Sequence, residues 1–351
     1  MTKALESHGP QNFFGTSELK LQKIFSVWGV EKYRVHQVFT WVYHYHCRDF
    51  NEMSNLSKSL RSRLAEHFYF SLPKIASQTN SKDGSIKYLL EMDDGALVES
   101  VWMPSDSRKT LCLSTQVGCR LNCSFCLTAS LGLKRNLATG EIIGQHLAIN
   151  EELSDENKIT NVVFMGMGEP LDNYESVVDA LRLMVSPEAM KISTRKVTVS
   201  TSGLVDKMKT FQHENLPVNL AISLNASDNS TRDKLMPINK KYPIEVLMDS
   251  LKKYPLKSQR RHTIEYVLLS GINDSDEDAC RLAEWLKDIP CKINLIPFNG
   301  FDSTQYTPPS DKRVLKFQNY LIEQNYSAFI RKNRATDILG ACGQLATQTS
   351  N

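Results

Sequence analysis

The chain has 351 residues, 41% of them hydrophobic, a formal charge of +3 and eight cysteines. That is enough apolar material for a large domain plus a smaller one, and too little net charge to announce a nucleic-acid partner by itself. The cysteines are too sparse for a small secreted disulfide framework, no run of about 18 apolar residues exists, and the opening MTKALESHGPQNFF is too polar for a secretory core. The expectation is a cytoplasmic protein outside any membrane, with thiols that are reduced, catalytic or metal-bound.

Residues 1–72 read as helical. SELKLQKIFSVWGV, YRVHQVFTWVYHY and LSKSLRSRLAEHF each return apolar residues at three and four positions. The segment holds nine Lys/Arg against six Asp/Glu and five of the eight histidines. This mild basic bias fits either an RNA-facing surface or an ordinary solvated helix face. Around residues 74–104 the period changes to two. SIKYLLEM and ALVESVWM flank Asp93, Asp94 and Gly95, which predicts a hairpin within a small β element spanning 73–108.

From Lys109 the strand patterns KTLCLSTQ, ITNVVFMG, RKVTVSTS, NLAISLN, HTIEYVLL and KINLIPF alternate with helical ones such as TGEIIGQHLAINEEL and YESVVDALRLM. Repeated βα units of about 30 residues imply a parallel sheet. Six strands, with the extra run YSAFIRK, predict an α/β fold with an incomplete, open (βα)6 barrel over 109–335 and its site at the C-terminal strand ends. A tail, 336–351, follows.

GCRLNCSFC, right after the first barrel strand, supplies Cys119, Cys123 and Cys126. The spacing C-x3-C-x2-C on one loop can wrap three corners of a cubane iron–sulfur cluster and leave the fourth iron open, whereas a structural zinc site normally takes four ligands. An open iron can chelate the amino and carboxylate groups of S-adenosylmethionine and pass an electron into its sulfonium, releasing a 5′-deoxyadenosyl radical. The competing reading is a zinc loop completed by a distant residue such as His146. Phe125 before the last cysteine gives the form C-x3-C-x-Φ-C, which is similar to the radical S-adenosylmethionine superfamily. In FMGMGEP, after the second strand, the glycines let backbone groups approach a ligand, and Gly168 and Glu169 are expected to meet the cofactor, as the same turn does in that superfamily. Later strand ends offer Ser200, Ser223, Leu224, Asn225 and Asn299, for which capping of a strand or helix is the plainer alternative. Cys47, Cys280 and Cys291 read as small buried apolar residues. Cys342, in ILGACGQLA, differs. A glycine-flanked tail can fold over the barrel mouth and deliver a thiolate.

Many motifs in order resemble one family, the radical S-adenosylmethionine methyltransferases that modify adenosine in 23S ribosomal RNA and, in one branch, tRNA. They are YRVHQVFTWVYHYHC, ESVWMP, LCLSTQVGCRLNCSFC, GLKRNL, NVVFMGMGEPL, VTVSTSG, LAISLNA, LMPIN, INLIPFN and RATDILGACGQL. Asn225 stands where many members have histidine, and Gly300 where proline is frequent. The resemblance implies a [4Fe-4S] cluster on Cys119, Cys123 and Cys126, two S-adenosylmethionine molecules per turnover, and methylation at C2 of adenosine 2503 in 23S rRNA and of adenosine 37 in tRNAs. It implies that Cys342 is methylated first and that its methylene radical then adds to the adenine. It also implies that Glu99 is the proton acceptor, where a solvated strand carboxylate is the plainer reading of the residue alone, and makes Cys112 the candidate thiol that frees the product and leaves a disulfide. An accessory RNA-binding module at 1–72, RNA contacts from KISTRK, KSQRRH and IRKNR, an electron donor such as flavodoxin or ferredoxin, and a monomeric state complete the expectation. A C8-methylating branch linked to ribosomal antibiotic resistance, and a non-enzymatic zinc-stabilised RNA-binding protein, are the alternatives.

Overall fold

The computed structural model describes residues 9–301 and 304–346. The first eight residues of the helical module and the last five of the tail lie outside them. The three expected N-terminal helices form at Glu18–Trp28, Tyr33–Phe39 and Lys58–His67. Ser17 and Ser57 start the first and third by accepting the backbone N–H of Lys20 and of Leu60. Gly29, at φ 69°, closes the first helix in the left-handed conformation that glycine adopts without a Cβ penalty. The second helix runs on into a π-turn, Thr40–His44. Phe13 joins the helices, packing edge-on against Phe39, Phe50 and Phe68 with centroids 5.5 to 5.9 Å apart. Ion pairs from Lys20 to Asp179 and from Arg48 to Glu151 tie the module to the barrel helices Tyr174–Val185 and Thr139–Glu152.

One sheet of ten strands organises the rest, numbered here without the shorter ribbons. The strands are β1 Lys74–Asn80, β2 Ile86–Glu91, β3 Leu97–Pro104, β4 Lys109–Cys112, β5 Asn161–Phe164, β6 Val197–Thr201, β7 Asn219–Ser223, β8 His262–Leu268, β9 Cys291–Pro297 and β10 Ala328–Ile330. They lie side by side in chain order. β4 to β10 are all parallel, joined by helices, while β1 to β4 run antiparallel. The first and last strands do not pair, so the barrel is open, as the strand count predicts. The expected hairpin is β2–β3. β1 is an additional strand, and with it the meander continues the barrel sheet.

KTLCLSTQ, read as one strand, is two. Its ladder ends at Cys112, and Gln116–Gly118 pairs instead with Leu133–Asn136. Ser114 causes the break. Its N–H is taken by the side chain of Gln145, its hydroxyl donates to the Glu99 carbonyl, and the same oxygen accepts the Met167 N–H. Side chains thus replace the strand partner at this point, and the chain is turned toward the barrel mouth.

Candidate active site

The ribbon after β4 closes a loop over residues 119–132 that carries three cysteines. Its neck demands glycine: a Cβ on Gly118 would sit 1.8 Å from the carbonyl oxygen of Gly132. Within the loop Asn122 turns the chain at φ 54°, and the Cys126 N–H bonds the Cys123 carbonyl at 3.1 Å. Cys123 and Cys126 line a cavity of about 210 Å³ at the C-terminal strand ends. Cys119 is buried behind them. Burial raises all three thiols, Cys119 to about 12, and mutual repulsion raises Cys119 and Cys123 further. Such a set ionises readily only beside a cation. Among the described residues, no three His, Cys, Asp or Glu side chains converge on a point that a single ion would fill. Two sulfurs at a cavity rim with a third close by on the same loop suit a cluster that offers one metal to each thiolate better than a lone zinc. His146, the proposed distant zinc ligand, is buried with neither ring nitrogen hydrogen-bonded and does not line the cavity.

Opposite the loop, the turn after β5 presses against the segment after β4. The Gly166 N–H reaches the Leu113 carbonyl, and the Thr115 N–H reaches the Met167 carbonyl. Gly168 has φ 99°, and a Cβ there would lie 2.6 Å from Cβ of Gln116, so both conformation and space require glycine. Gly168 and Glu169 line the cavity. Glu169 is buried, which raises its carboxyl, and its two oxygens take the N–H groups of Leu171 and Ser202. Ser200, Ser223, Asn225 and Asn299 line the same space. Leu224 does not. It is fully buried, with its N–H on the Glu265 carbonyl and its own carbonyl on Arg232. Asn225, at φ 57°, accepts the Val267 N–H, so this residue staples β7 to β8.

Cys112 and Cys342 face this cavity together. Cys112 ends β4 and is buried, which raises its thiol, and Cys342 is near enough to raise it more. Cys342 is solvent-accessible because it opens on the cavity, yet protein surrounds it closely enough that burial raises its thiol too. The tail lies directly on the cluster loop. The Leu127 N–H donates to the Gly343 carbonyl at 2.7 Å, and the Thr128 hydroxyl donates to Leu345 at 2.6 Å. Glu99 stands behind the tail. It is buried on β3, 3.0 Å from Lys87, and accepts the Ala346 N–H at 2.8 Å. Burial raises its carboxyl against the lowering effect of Lys87. Cys47 and Cys291 are buried, and Cys280 is half-buried on a helix surface near Glu284.

Three features of the site escape a reading of isolated residues. Glu265 lines the cavity from β8, one carboxylate oxygen held by Asn294 at 2.8 Å. Arg232 is fully buried beneath the cluster loop, bonded to the carbonyls of Leu224, Ser202 and Ser223 and to Asn239. Arg331, Lys332, Asn333 and Arg334, after β10, line the cavity mouth. Of the three basic runs this one alone lies at the site. KISTRK and KSQRRH precede β6 and β8, at the strand ends remote from the cavity.

An open βα barrel with three cysteines on the loop after its first strand defines a radical S-adenosylmethionine enzyme. Residues 113–283 match the radical SAM superfamily, and residues 11–70 match the ribosomal RNA large subunit methyltransferase N-terminal domain. A radical SAM methyltransferase of known structure from Sphaerobacter thermophilus superposes with a TM-score of 0.88 at 37% identity, covering 97% of this chain and all of the other. A dual-specificity RNA methyltransferase RlmN from Desulfosudis oleivorans is 44% identical over 96% of this chain and 91% of its own. The protein of that name from Alkalilimnicola ehrlichii is 46% identical over 95% and 93%. The chain therefore belongs to the RlmN family of RNA methyltransferases, and its cofactors are a [4Fe-4S] cluster and S-adenosylmethionine.

Proposed function

We propose that this enzyme methylates C2 of adenosine 2503 in 23S rRNA and C2 of adenosine 37 in tRNAs; its relatives are named dual-specificity RNA methyltransferases, and its N-terminal segment matches a domain named for large-subunit ribosomal RNA methylation. Carrying the proposal is one observation: Cys112 and Cys342, distant in sequence, open on one cavity whose rim holds Cys123 and Cys126. When bound, the cluster supplies the electron that cleaves S-adenosylmethionine. Cys119, Cys123 and Cys126 would hold it, with Gly168, Glu169, Ser200, Ser223 and Asn225 around the cofactor. Leu224 would serve only as backing beneath them, and Asn299 closes the far wall.

Adenine C2 is electrophilic and its C–H bond is unactivated, so a simple displacement does not methylate it. Cys342 carries the one-carbon unit on sulfur. With that carbon bridging Cys342 sulfur and C2, Glu99 takes the ring proton once the tail shifts to expose it. The Cys112 thiolate attacks Cys342 sulfur, so that the S–S bond forms as the S–C bond breaks, and the departing carbon, keeping that electron pair, takes a proton to become the methyl group. Arg331, Lys332 and Arg334 at the mouth meet the RNA backbone. Residues 1–72 form the RNA-binding accessory module, 73–108 the β element, 109–335 the barrel and 336–351 the catalytic tail. The enzyme works as a cytoplasmic monomer and takes electrons from a flavodoxin or ferredoxin. No helix among the described residues is long and apolar enough to cross a membrane.

The test is mass spectrometry of 23S rRNA and tRNA from a deletion strain complemented with the wild-type or the Cys342→Ala gene. Wild type should restore 2-methyladenosine to both pools and Cys342→Ala to neither. An 8-methyl product would move the protein to the C8-methylating branch.

A further inference from the structure

Strand pairing puts Lys87 opposite Val101 and Leu89 opposite Glu99. By the two-residue period of a strand, Lys87, Glu99 and Val101 then share the face that looks toward the cavity. The Lys87 ammonium lies 3.0 Å from one oxygen of Glu99 and 3.4 Å from the carbonyl oxygen of Leu339, while the other oxygen of Glu99 accepts the Ala346 N–H. One buried ion pair therefore grips the tail on both sides of Cys342, at Leu339 before it and at Ala346 after it. The side chains of the pair are only 16% and 4% exposed, so water competes little for the ion pair itself, while the longer contact to Leu339 is exposed. Leu339 itself is at φ 50°, a conformation a branched residue holds only when its surroundings impose it.

We propose that Lys87 is a positioning residue, which through Glu99 and the Leu339 carbonyl holds the tail so that Cys342 opens on the cavity beside Cys112. This rests on the carrier role of Cys342 proposed above. Lys87 touches no substrate. Its pairing with Glu99 joins the tail's position to the state of that carboxylate, because Lys87 holds Leu339 directly and fixes the carboxylate that holds Ala346.

The test uses the full-length protein produced without its cluster, so that Cys342 is an unmethylated thiol, and reconstituted anaerobically in the absence of S-adenosylmethionine. Alkylation by iodoacetamide is followed at each cysteine by peptide mass spectrometry, and hydrogen exchange is followed in the tail peptide containing Ala346. Lys87→Met should speed alkylation of Cys342 by about tenfold or more, as expected for loss of a charge-assisted contact. It should also speed tail exchange and lower kcat for RNA methylation while KM for RNA stays near wild type. Lys87→Arg should restore most of each. Because Lys87→Met leaves Glu99 buried without its partner, the double variant Lys87→Met, Glu99→Gln is measured for alkylation and exchange alone, and should show the same loosened tail. Cys280, on a remote helix, reports global loosening. The proposal is overturned if Cys342 alkylation and tail exchange match wild type in Lys87→Met, or if Cys280 accelerates as much as Cys342. Wild-type protein that gains no methyl group on Cys342 once S-adenosylmethionine is added would instead overturn the carrier role.

Discussion

Replacing Cys112 by alanine separates a resolving thiol from a merely buried one. The side chain is 7% exposed, and its open side faces the cavity. Loss of one sulfur widens a space that already exists and leaves no new sealed void, so the cost belongs near the bottom of the range for truncations, about 1 kcal/mol. The variant should fold, hold its cluster and methylate Cys342. RNA should then stay bonded to the protein through Cys342, because no second thiol is there to attack that sulfur. The assay is denaturing electrophoresis of labelled RNA after anaerobic reaction, with mass spectrometry of the Cys342 peptide and chemical denaturation to confirm the small stability loss. The bonded species should approach one RNA per chain and vanish in the Cys112→Ala, Cys342→Ala double variant. Repeated turnover to free methylated RNA, with no bonded species, would refute the reasoning and assign release to another thiol.

Cys119→Ala, Cys123→Ala or Cys126→Ala should each abolish the visible absorption of the reconstituted cluster and all cleavage of S-adenosylmethionine, and four irons retained in any of them would contradict the ligand assignment. Gly168→Ala should lose about 3 kcal/mol or more in urea denaturation, from a φ of 99° unsuited to alanine and a Cβ placed 2.6 Å from Gln116; a loss below about 1 kcal/mol would show that the turn relaxes freely. His146 is fully buried, which lowers its imidazole from the ordinary 6.5 to about 4. Its neutral form is favoured in the folded state, so the stability it confers is complete above pH 6.5 and is lost as pH falls toward 4, by about 3 kcal/mol. His146→Leu should flatten denaturation midpoints over that window, with the remaining slope owed in part to His262, which burial also lowers to about 4. A slope unchanged by the substitution would mean that the imidazole finds a partner when protonated.

The barrel was legible because a parallel strand covered on both faces leaves a short β-branched run, and the intervals between such runs are long enough for a helix. The cysteine loop was legible for another reason: the proposed ligands of a metal centre fall within eight residues, and their spacing survives as text. What stayed hidden depends on partners far away in the chain. KTLCLSTQ looks like one strand because nothing local shows that Gln145 and Met167 will capture Ser114 and bend it. Leu224 stands between two cavity residues in sequence, yet the alternation of a strand turns it into the core. Lys87 and Arg331 are single charges at strand ends and Glu265 a single charge within β8; a solvated face is the ordinary fate of such residues, and only the assembled sheet brings them to the site. The basic runs show the same limit. Composition alone could not rank IRKNR above KISTRK and KSQRRH, but strand direction does, since only the first follows its strand toward the C-terminal side.

The tail and the barrel are held by different forces, and that difference matters to the chemistry. The barrel packs fully buried aliphatic side chains such as Val199, Ile222, Ile264 and Ile293 against its helices. Opening it exposes large apolar area at about 25 cal/mol per Å². Over its described residues the tail forms a single short 3-10 turn, Thr336–Ile338, and the left-handed region is reached at Ala335, just before it, and at Leu339 and Gly343. The two non-glycine positions cost about 1 kcal/mol or more each. Discrete polar contacts offset this: Asp337 with Ser81 and Lys82, Gln344 with Gly300, Leu345 with Thr128, and Ala346 with Glu99. Each contributes about 1 kcal/mol and exchanges for water when broken. The tail buries little apolar surface besides Leu345 and therefore releases at lower cost than the barrel strands. A carrier thiol must face the cofactor in one step and meet Cys112 in another. A polar, strained strap can serve both positions while the barrel that holds the cluster stays fixed.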